Sequence, residues 1–186
     1  MKWIKRRLTT TVFLVGLGVC ARQAQAASTD TITISLTPNT TFAVTISSAY
    51  VGGYNFGLVN LNATTVSTVA ITLTNSGSIY EYFGISVSNT SGGWTASATT
   101  PSTDTFRLSG QLNATQPLQG SGSFSALTNT APTNAAALYG QASTKTSPTA
   151  GNNTQKLWLQ MEMPFTLNTG GTGPQTMTLS VTGQAT

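Results

Sequence analysis

Apolar residues alternate with threonine and serine along much of this chain, and this alternation predicts half-buried β-strands. The clearest segments are residues 31–37 (TITISLT), 69–74 (VAITLT), 83–88 (FGISVS), 157–163 (LWLQMEM) and 177–182 (MTLSVT). In each of them one face of the strand is apolar, and the other carries mainly hydroxyl groups or, in 157–163, Trp158, Gln160 and Glu162. No helical period of comparable strength appears after residue 26, so the pattern favours an all-β protein.

Turn sequences between these segments predict how the strands connect. Residues 75–78 (NSGS) separate two of them and predict a central hairpin, because Asn, Ser and Gly favour tight turns. A second turn at 89–93 leads to Trp94, which we expect in the core. Further strands are predicted at 42–46, 106–112 and 122–127, a loop at 144–154, and a terminal hairpin formed by 157–163 and 177–182. The fold predicted from these elements is a single antiparallel β-sandwich, immunoglobulin-like or jelly-roll-like.

The first 26 residues have the three regions of a secretory signal peptide. Four basic residues among the first seven precede an apolar run at 8–21, and Ala24-Gln25-Ala26 provides a small-x-small cleavage site. We therefore predict a cleavable signal peptide at 1–26 and one β-sandwich domain at 27–186. Two alternatives stay open, an uncleaved membrane anchor and lipidation at Cys20, although Val19 is an unusual neighbour for a lipidated cysteine.

Removal of the signal peptide changes the charge of the protein. Five of the eight basic residues lie within residues 1–26, so three basic and four acidic residues remain and the net charge is −1. A basic surface for nucleic acid or anionic lipid is therefore not expected. Charged residues make up only 6% of the whole chain, against about 25% in average soluble domains, and Thr, Ser, Asn, Gln and Gly take their place. This composition is typical of an exported all-β protein.

Few residues of the predicted mature chain support catalysis. The sequence contains no histidine, and its one cysteine lies in the signal peptide, which excludes zinc sites with these ligands and Ser-His or Cys-His nucleophiles. Glu81 and Glu162 are the one pair of carboxylates on clear strands that a glycosidase could use, but an exposed Glu81, or an ion pair with Arg107, is the simpler interpretation. Asp104 alone is a weak calcium ligand. We predict no catalytic residue, no cofactor and no metal site.

Two sets of apolar side chains are candidates for recognition. Tyr80 and Tyr82 project from the face opposite Phe83, and Trp158 projects from the face opposite its leucine neighbours, so these rings form a possible binding or assembly surface. The alternative is that the rings cover loops or a sheet edge. A possible donor strand is the segment that contains Ile32, Ile34 and Leu36, which would add to a neighbouring sheet.

Two segments carry a resemblance to known proteins: 55–92, with NFG and VSTVAITLTNSGSIYEYFGISVSNTSGG, and 157–182, with LWLQMEMP and QTMTLSVT. They resemble secreted bacterial immunoglobulin-like β-sandwich surface proteins, and the format is also similar to camelysin-type biofilm matrix fibre proteins. The first resemblance implies that Asn75, Gly77, Tyr82 and Trp94 serve the turn and the core, and it implies no activity. The second implies polymerisation by strand exchange.

The main functional hypothesis is a non-enzymatic structural or cell-surface protein, secreted and built into an extracellular fibre, matrix or surface layer. It predicts self-association through sheet edges, because this chain has almost no charge with which to protect them. The alternative is an adhesion module that binds a surface glycan or a protein partner. Neither hypothesis involves nucleic acid, or a membrane after signal cleavage.

Overall fold

A computed structural model describes residues 35–50, 52–130, 132, 135, 138–141, 145–168 and 172–185. Within these ranges the protein is all-β, with a single 3₁₀ turn at Ser48–Tyr50. Its strands are β1 (Val44–Ile46), β2 (Thr64–Val66), β3 (Ile71–Asn75), β4 (Tyr82–Val87), β5 (Thr95–Ala96), β6 (Thr105–Leu112), β7 (Ser125–Ala126), β8 (Thr154–Glu162) and β9 (Leu179–Gln184). All of them lie in one compact unit, Asn39–Thr186. The all-β prediction is confirmed.

Strand β8 is the centre of the larger sheet. It pairs antiparallel with β2 and β3 along one edge and with β6 along the other. Its alternation works as the sequence predicts, because Leu157, Leu159 and Met161 enter the core. Strand β1 extends the sheet beyond β3, while β5 and β7 pair with β6. The predicted strands at 106–112 and 157–163 are confirmed, and β7 lies within the one predicted at 122–127.

Strands β4 and β9 form a separate two-stranded sheet, in register from Tyr82 opposite Gln184 to Val87 opposite Leu179. Two predicted hairpins are therefore wrong. Strand β4 does not pair with β3, and β9 pairs with β4 rather than with β8. Alternation predicted these strands but not their partners.

The turn after β3 explains why the central hairpin does not form. The Asn75 side chain is buried, and its Oδ1 accepts a hydrogen bond from the Gly77 N–H (2.9 Å). Its Nδ2 donates to the carbonyls of Ile79 and Thr146, both at 2.9 Å. These bonds hold the chain in a course that leaves the larger sheet, so the next strand joins the smaller one.

The two sheets enclose one core. Leu73 of β3, Phe83 of β4, Phe106 of β6 and Leu157 of β8 are fully buried in the same cluster, which also contains Trp94 as predicted. The sheets form a curled half-barrel in which β5 and β6 run parallel, so the strictly antiparallel arrangement predicted from the sequence is wrong.

The predictions for the N-terminus fall mainly on residues that the structure does not describe. The signal peptide at 1–26, Cys20, Ile32 and Ile34 lie outside the described ranges. The unit Met1–Pro38 is described only from residue 35, and residues 35–38 carry no strand.

Candidate functional site

The three aromatic residues predicted to form a surface lie in different environments. Tyr80 is 57% exposed, whereas Tyr82 is 6% exposed and Trp158 is 8% exposed. The Trp158 indole N–H donates to the Asn113 carbonyl at 3.0 Å. The Tyr82 ring lies beneath the Lys145 ammonium group, 5.4 Å from the ring centroid, which is the geometry of a cation–π contact. Only Tyr80 presents its ring to solvent, so the predicted three-ring surface does not form.

Of the predicted donor residues, Leu36 alone is described. It lies outside every strand and is 90% exposed.

Glu81 is buried, so the interpretation of this residue as an exposed carboxylate is wrong. It immediately precedes β4, is 0% exposed, and neither carboxylate oxygen has a hydrogen-bond partner. Its side chain follows the inward phase of Phe83 and Ile85, and this phase was the sequence signal for burial. Arg107 does not pair with it, because Nε and Nη2 of that guanidinium both donate to Glu162.

Burial dominates the protonation of Glu81. Desolvation raises the pKa of its carboxyl from 4.5 to about 7, and the nearby Ala43 backbone amide, which falls outside hydrogen-bonding geometry, lowers the pKa by a smaller amount. Glu81 therefore titrates near neutrality in a place closed to water.

The Asp104 carboxylate accepts a hydrogen bond from the backbone. Its Oδ1 accepts a hydrogen bond from the Asn168 N–H at 3.0 Å. In the part of the chain that the structure describes, no three histidine, cysteine, aspartate or glutamate residues come together as metal ligands.

One edge of β4 is covered by contacts from described residues between positions 128 and 146. The Gln141 side-chain amide accepts a hydrogen bond from the Phe83 N–H (2.9 Å) and donates to the Phe83 carbonyl (3.1 Å), as the backbone of a neighbouring strand would. The Tyr139 hydroxyl donates to the Ile85 carbonyl at 2.9 Å. Glu81 and Thr146 exchange backbone hydrogen bonds beside them. The expectation of open edges is therefore wrong for β4, and Gln141 and Tyr139 were missed because their segment has no periodicity.

Unlike the covered edge of β4, the outer edges of β1 and β9 have no strand partner among the described residues. The Ser76 N–H donates to the Ala43 carbonyl (2.8 Å), so odd-numbered residues of the β1 strand bond to the β3 side and even-numbered ones point away. Similarly, the Ser88 N–H donates to the Thr178 carbonyl (2.9 Å), so the backbone groups of residues 179, 181 and 183 point away from β4. No described strand pairs with either outer edge.

These two edges lie close together and define what we call the β1–β9 seam, residues 42–46 and 179–183. Their Cα atoms approach within 8 Å without forming a ladder. Gly183 meets Phe42 at one end of the seam, where a Cβ on the glycine would lie 3.3 Å from the Phe42 Cβ. The same Cβ would overlap the Glu81 carboxylate, so the absence of a side chain at 183 makes the space that Glu81 occupies.

A second candidate is a polar cleft on the outer face of β6 and β8, with a volume of about 370 Å³. Its lining includes the partly exposed Arg107, the buried Gln160, and Phe124. Gln160 is held in place, since its Oε1 accepts from the Gly120 N–H at 2.8 Å and its Nε2 donates to Glu162 at 3.2 Å. Ser121 and the buried Ser109 also line the cleft, and the Ser121 hydroxyl donates to Gln111 Oε1 at 3.0 Å.

None of the helical residues that the structure describes forms a helix long and apolar enough to cross a bilayer. The sequence matches no protein-family model, and no match is found among curated proteins. The geometry of the seam and of the cleft is therefore the basis for a functional assignment.

Proposed function

We propose that this is a non-enzymatic exported protein, structural or located on the cell surface, that serves as a subunit of an extracellular assembly such as a fibre, matrix or surface layer. The observation that carries the proposal is the outer edge of β9, which is unpaired among the described strands and has no protecting charge.

Strand edges in natural proteins are commonly protected by lysine, proline or bulges, because an open edge templates pairing with another chain. Residues 175–185, which contain β9, include no Lys, Arg, Asp, Glu or Pro, and neither do residues 41–46 around β1. The edge of β4, by contrast, is covered by side chains of its own chain. In the described part of the chain, one edge is covered and two, which we call the bare edges, have no strand partner, and this arrangement suits association through the bare edges.

The segment with Ile32, Ile34 and Leu36 supplies the other half of the proposed association. In a neighbouring copy its alternating side chains would match the two-residue period of a sheet, and its backbone would pair with the edge. The two-layered sandwich predicted from the sequence belongs to this proposal, with the β8-centred sheet and the β4–β9 pair as its layers.

The chemistry of the described carboxylates also supports a role without catalysis. Glu162 is engaged by Arg107, Asp104 accepts a backbone hydrogen bond, and Glu81 is enclosed. General acid–base catalysis needs a carboxyl within hydrogen-bond reach of a substrate, and none of these three combines a free carboxyl with an open cleft.

The proposal is tested by a charge on the bare edge. Ser180 is an exposed residue of β9, and Ser180→Lys places an ammonium group beside the open backbone groups. We expect the purified protein to form concentration-dependent oligomers or filaments in light scattering and electron microscopy, and Ser180→Lys to suppress them. Thr115→Lys, on an exposed loop, adds the same charge and should assemble like the unmodified protein. A protein that stays monomeric at all concentrations and salt conditions would refute the proposal.

The second candidate is an adhesion module that binds a carbohydrate or a protein partner, and the polar cleft favours it. Amide and hydroxyl groups, with one aromatic ring at Phe124, are the groups that recognise sugars. Binding on a glycan array that is lost in Phe124→Ala and kept in Tyr80→Ala would assign recognition to the cleft. A silent array would count against this candidate.

A further inference from the structure

Glu81 is an anomaly that the assembly proposal alone does not explain. A fully buried carboxyl without a hydrogen-bond partner is costly, and proteins of this composition have many neutral side chains that would fill the same space. Its position is also specific, since it contacts β9 at Gly183 and lies beside β1 at Phe42 and Ala43. The carboxyl thus lies at the point where the two bare edges meet.

Among the residues that the structure describes, no charged group balances the carboxyl. Neither β1 nor β9 carries a titratable residue. On β4 the adjacent titratable group is Tyr82, and beside the backbone partner Thr146 it is Lys145, whose ammonium group lies over the Tyr82 ring. An ionised Glu81 therefore has neither a counter-charge nor a hydrogen bond in the closed seam, whereas a protonated carboxyl is tolerated there.

We propose that the β1–β9 seam is the acceptor site for residues 31–37 of a second copy of this chain, and that Glu81 controls the seam, which stays closed while the carboxyl is protonated and opens when it is ionised. This inference rests on the proposed function and adds to it the partner, the site and the condition for assembly.

The unpaired backbone groups of the seam indicate which kind of segment would bind there. Both of its edges present unpaired backbone groups, which an extended strand satisfies on its two sides. Residues 31–37 are uncharged and alternate strictly between apolar and hydroxyl side chains. Leu36, the last apolar residue of this segment, is exposed. An entering strand also brings N–H groups, which are the donors that the ionised carboxylate needs.

The test measures binding of a labelled peptide of residues 31–37 to the full chain at pH 5 and pH 8. The acceptor carries Ile32→Ser, Ile34→Ser and Leu36→Ser so that it cannot donate its own segment, and a peptide with the same three changes is the negative control. If the carboxyl has a pKa of 4.5 in the open seam and of about 7 in the closed seam, the affinity for the peptide increases at most about 70-fold from pH 5 to pH 8. We expect an increase of more than about tenfold.

Two variants separate Glu81 from general effects of pH. Glu81→Gln removes the titration, so peptide affinity should no longer change with pH. Gly183→Ala pushes the carboxylate out of its space without changing its charge, so the peptide should bind at pH 5 nearly as well as at pH 8. Gly173→Ala is the matched control, because a Cβ there has no atom within 4 Å, and it should behave like its parent.

The outcomes distinguish the two proposals. If the peptide binds and oligomers form, but Glu81→Gln keeps the full pH dependence, the role of Glu81 is refuted while assembly stands. If assembly occurs but the peptide does not bind, the seam is not the acceptor for this segment. If neither binding nor assembly occurs at any pH, both proposals fail.

Discussion

The protonation of Glu81 makes a quantitative prediction about stability. The pKa of its carboxyl is raised to about 7 in the folded protein, against 4.5 for the solvated group, with desolvation as the main cause. Between these two values the folded state holds one proton more than the unfolded state. The free energy of unfolding therefore falls as pH rises, with the full contribution present below pH 4.5 and lost by the time the pH has passed 7.

The contribution of Glu81 to the free energy of unfolding can be calculated from the difference between its two pKa values. About 2.5 pH units at about 1.4 kcal/mol each give ~3.4 kcal/mol at most. For a protein of this length, such a change lowers the melting temperature by about 7 to 14 °C. This is a large share of the 5–15 kcal/mol that is typical of the stability of single domains, so it is measurable.

The assay is denaturant unfolding of the full chain and of Glu81→Gln at intervals between pH 4 and pH 8. The quantity of interest is the difference between the two proteins at each pH, because other groups contribute equally to both. We expect this difference to change by ~3 kcal/mol in favour of the variant as the pH rises.

Asp104→Asn is the matched control. It also replaces a carboxylate by an amide, at a position with φ 54° that asparagine adopts readily and where its side chain keeps the bond to Asn168. If the difference between Glu81→Gln and the parent protein does not change with pH, the carboxyl is solvated in the native protein and the reasoning about the seam is wrong.

Two further predictions concern the polar contacts that direct β4. Tyr139→Phe removes the donor to the Ile85 carbonyl and should lower the free energy of unfolding by about 1–2 kcal/mol in denaturant unfolding. The surface variant Tyr80→Phe should lower it by less than about 0.5 kcal/mol. Equal effects of the two variants would show that the hydrogen bond of the Tyr139 hydroxyl is unimportant. Asn75→Ala removes three hydrogen bonds at the exit from β3 and should cost about 2–4 kcal/mol, while Asn55→Ala, which removes one exposed bond to the Gly57 N–H, should cost at most about 1 kcal/mol. A small effect at Asn75 would mean that the chain leaves the larger sheet for another reason.

The strands could be predicted from the sequence, but their partners could not. Alternation reports which residues face the core, and it predicted β3, β6, β8 and β9 because one face of each is apolar. It carries no information on which strand lies alongside, and the turn at 75–78 was interpreted as a hairpin because the long-range bond from Asn75 to Thr146 is not visible in a local pattern.

The candidate site was harder to predict for a different reason. Glu81 has the same position in the two-residue alternation as Phe83, and this alternation indicates that its side chain is buried. A lone carboxylate on a strand is usually solvated, so the sequence favours the exposed interpretation. The space that Glu81 fills exists because residue 183 is glycine, on a strand whose partner was misassigned. Tyr82 shows the converse: alternation predicted that its ring faces away from Phe83 and towards solvent, but the ring is 6% exposed, belongs to the buried core cluster and lies beneath the Lys145 ammonium group.

The central position of β8 has a consequence for synthesis of the chain. The strand on which β2, β3 and β6 depend begins at residue 154, in about the last fifth of the sequence. Ile71 finds its neighbour Leu157 only after the intervening residues have been made. Contacts of such long sequence separation form slowly, so a nascent chain on the ribosome has no template for its main sheet until translation is nearly over. The pairings of β8 with β2, β3 and β6 therefore form only when nearly the whole polypeptide has been synthesised.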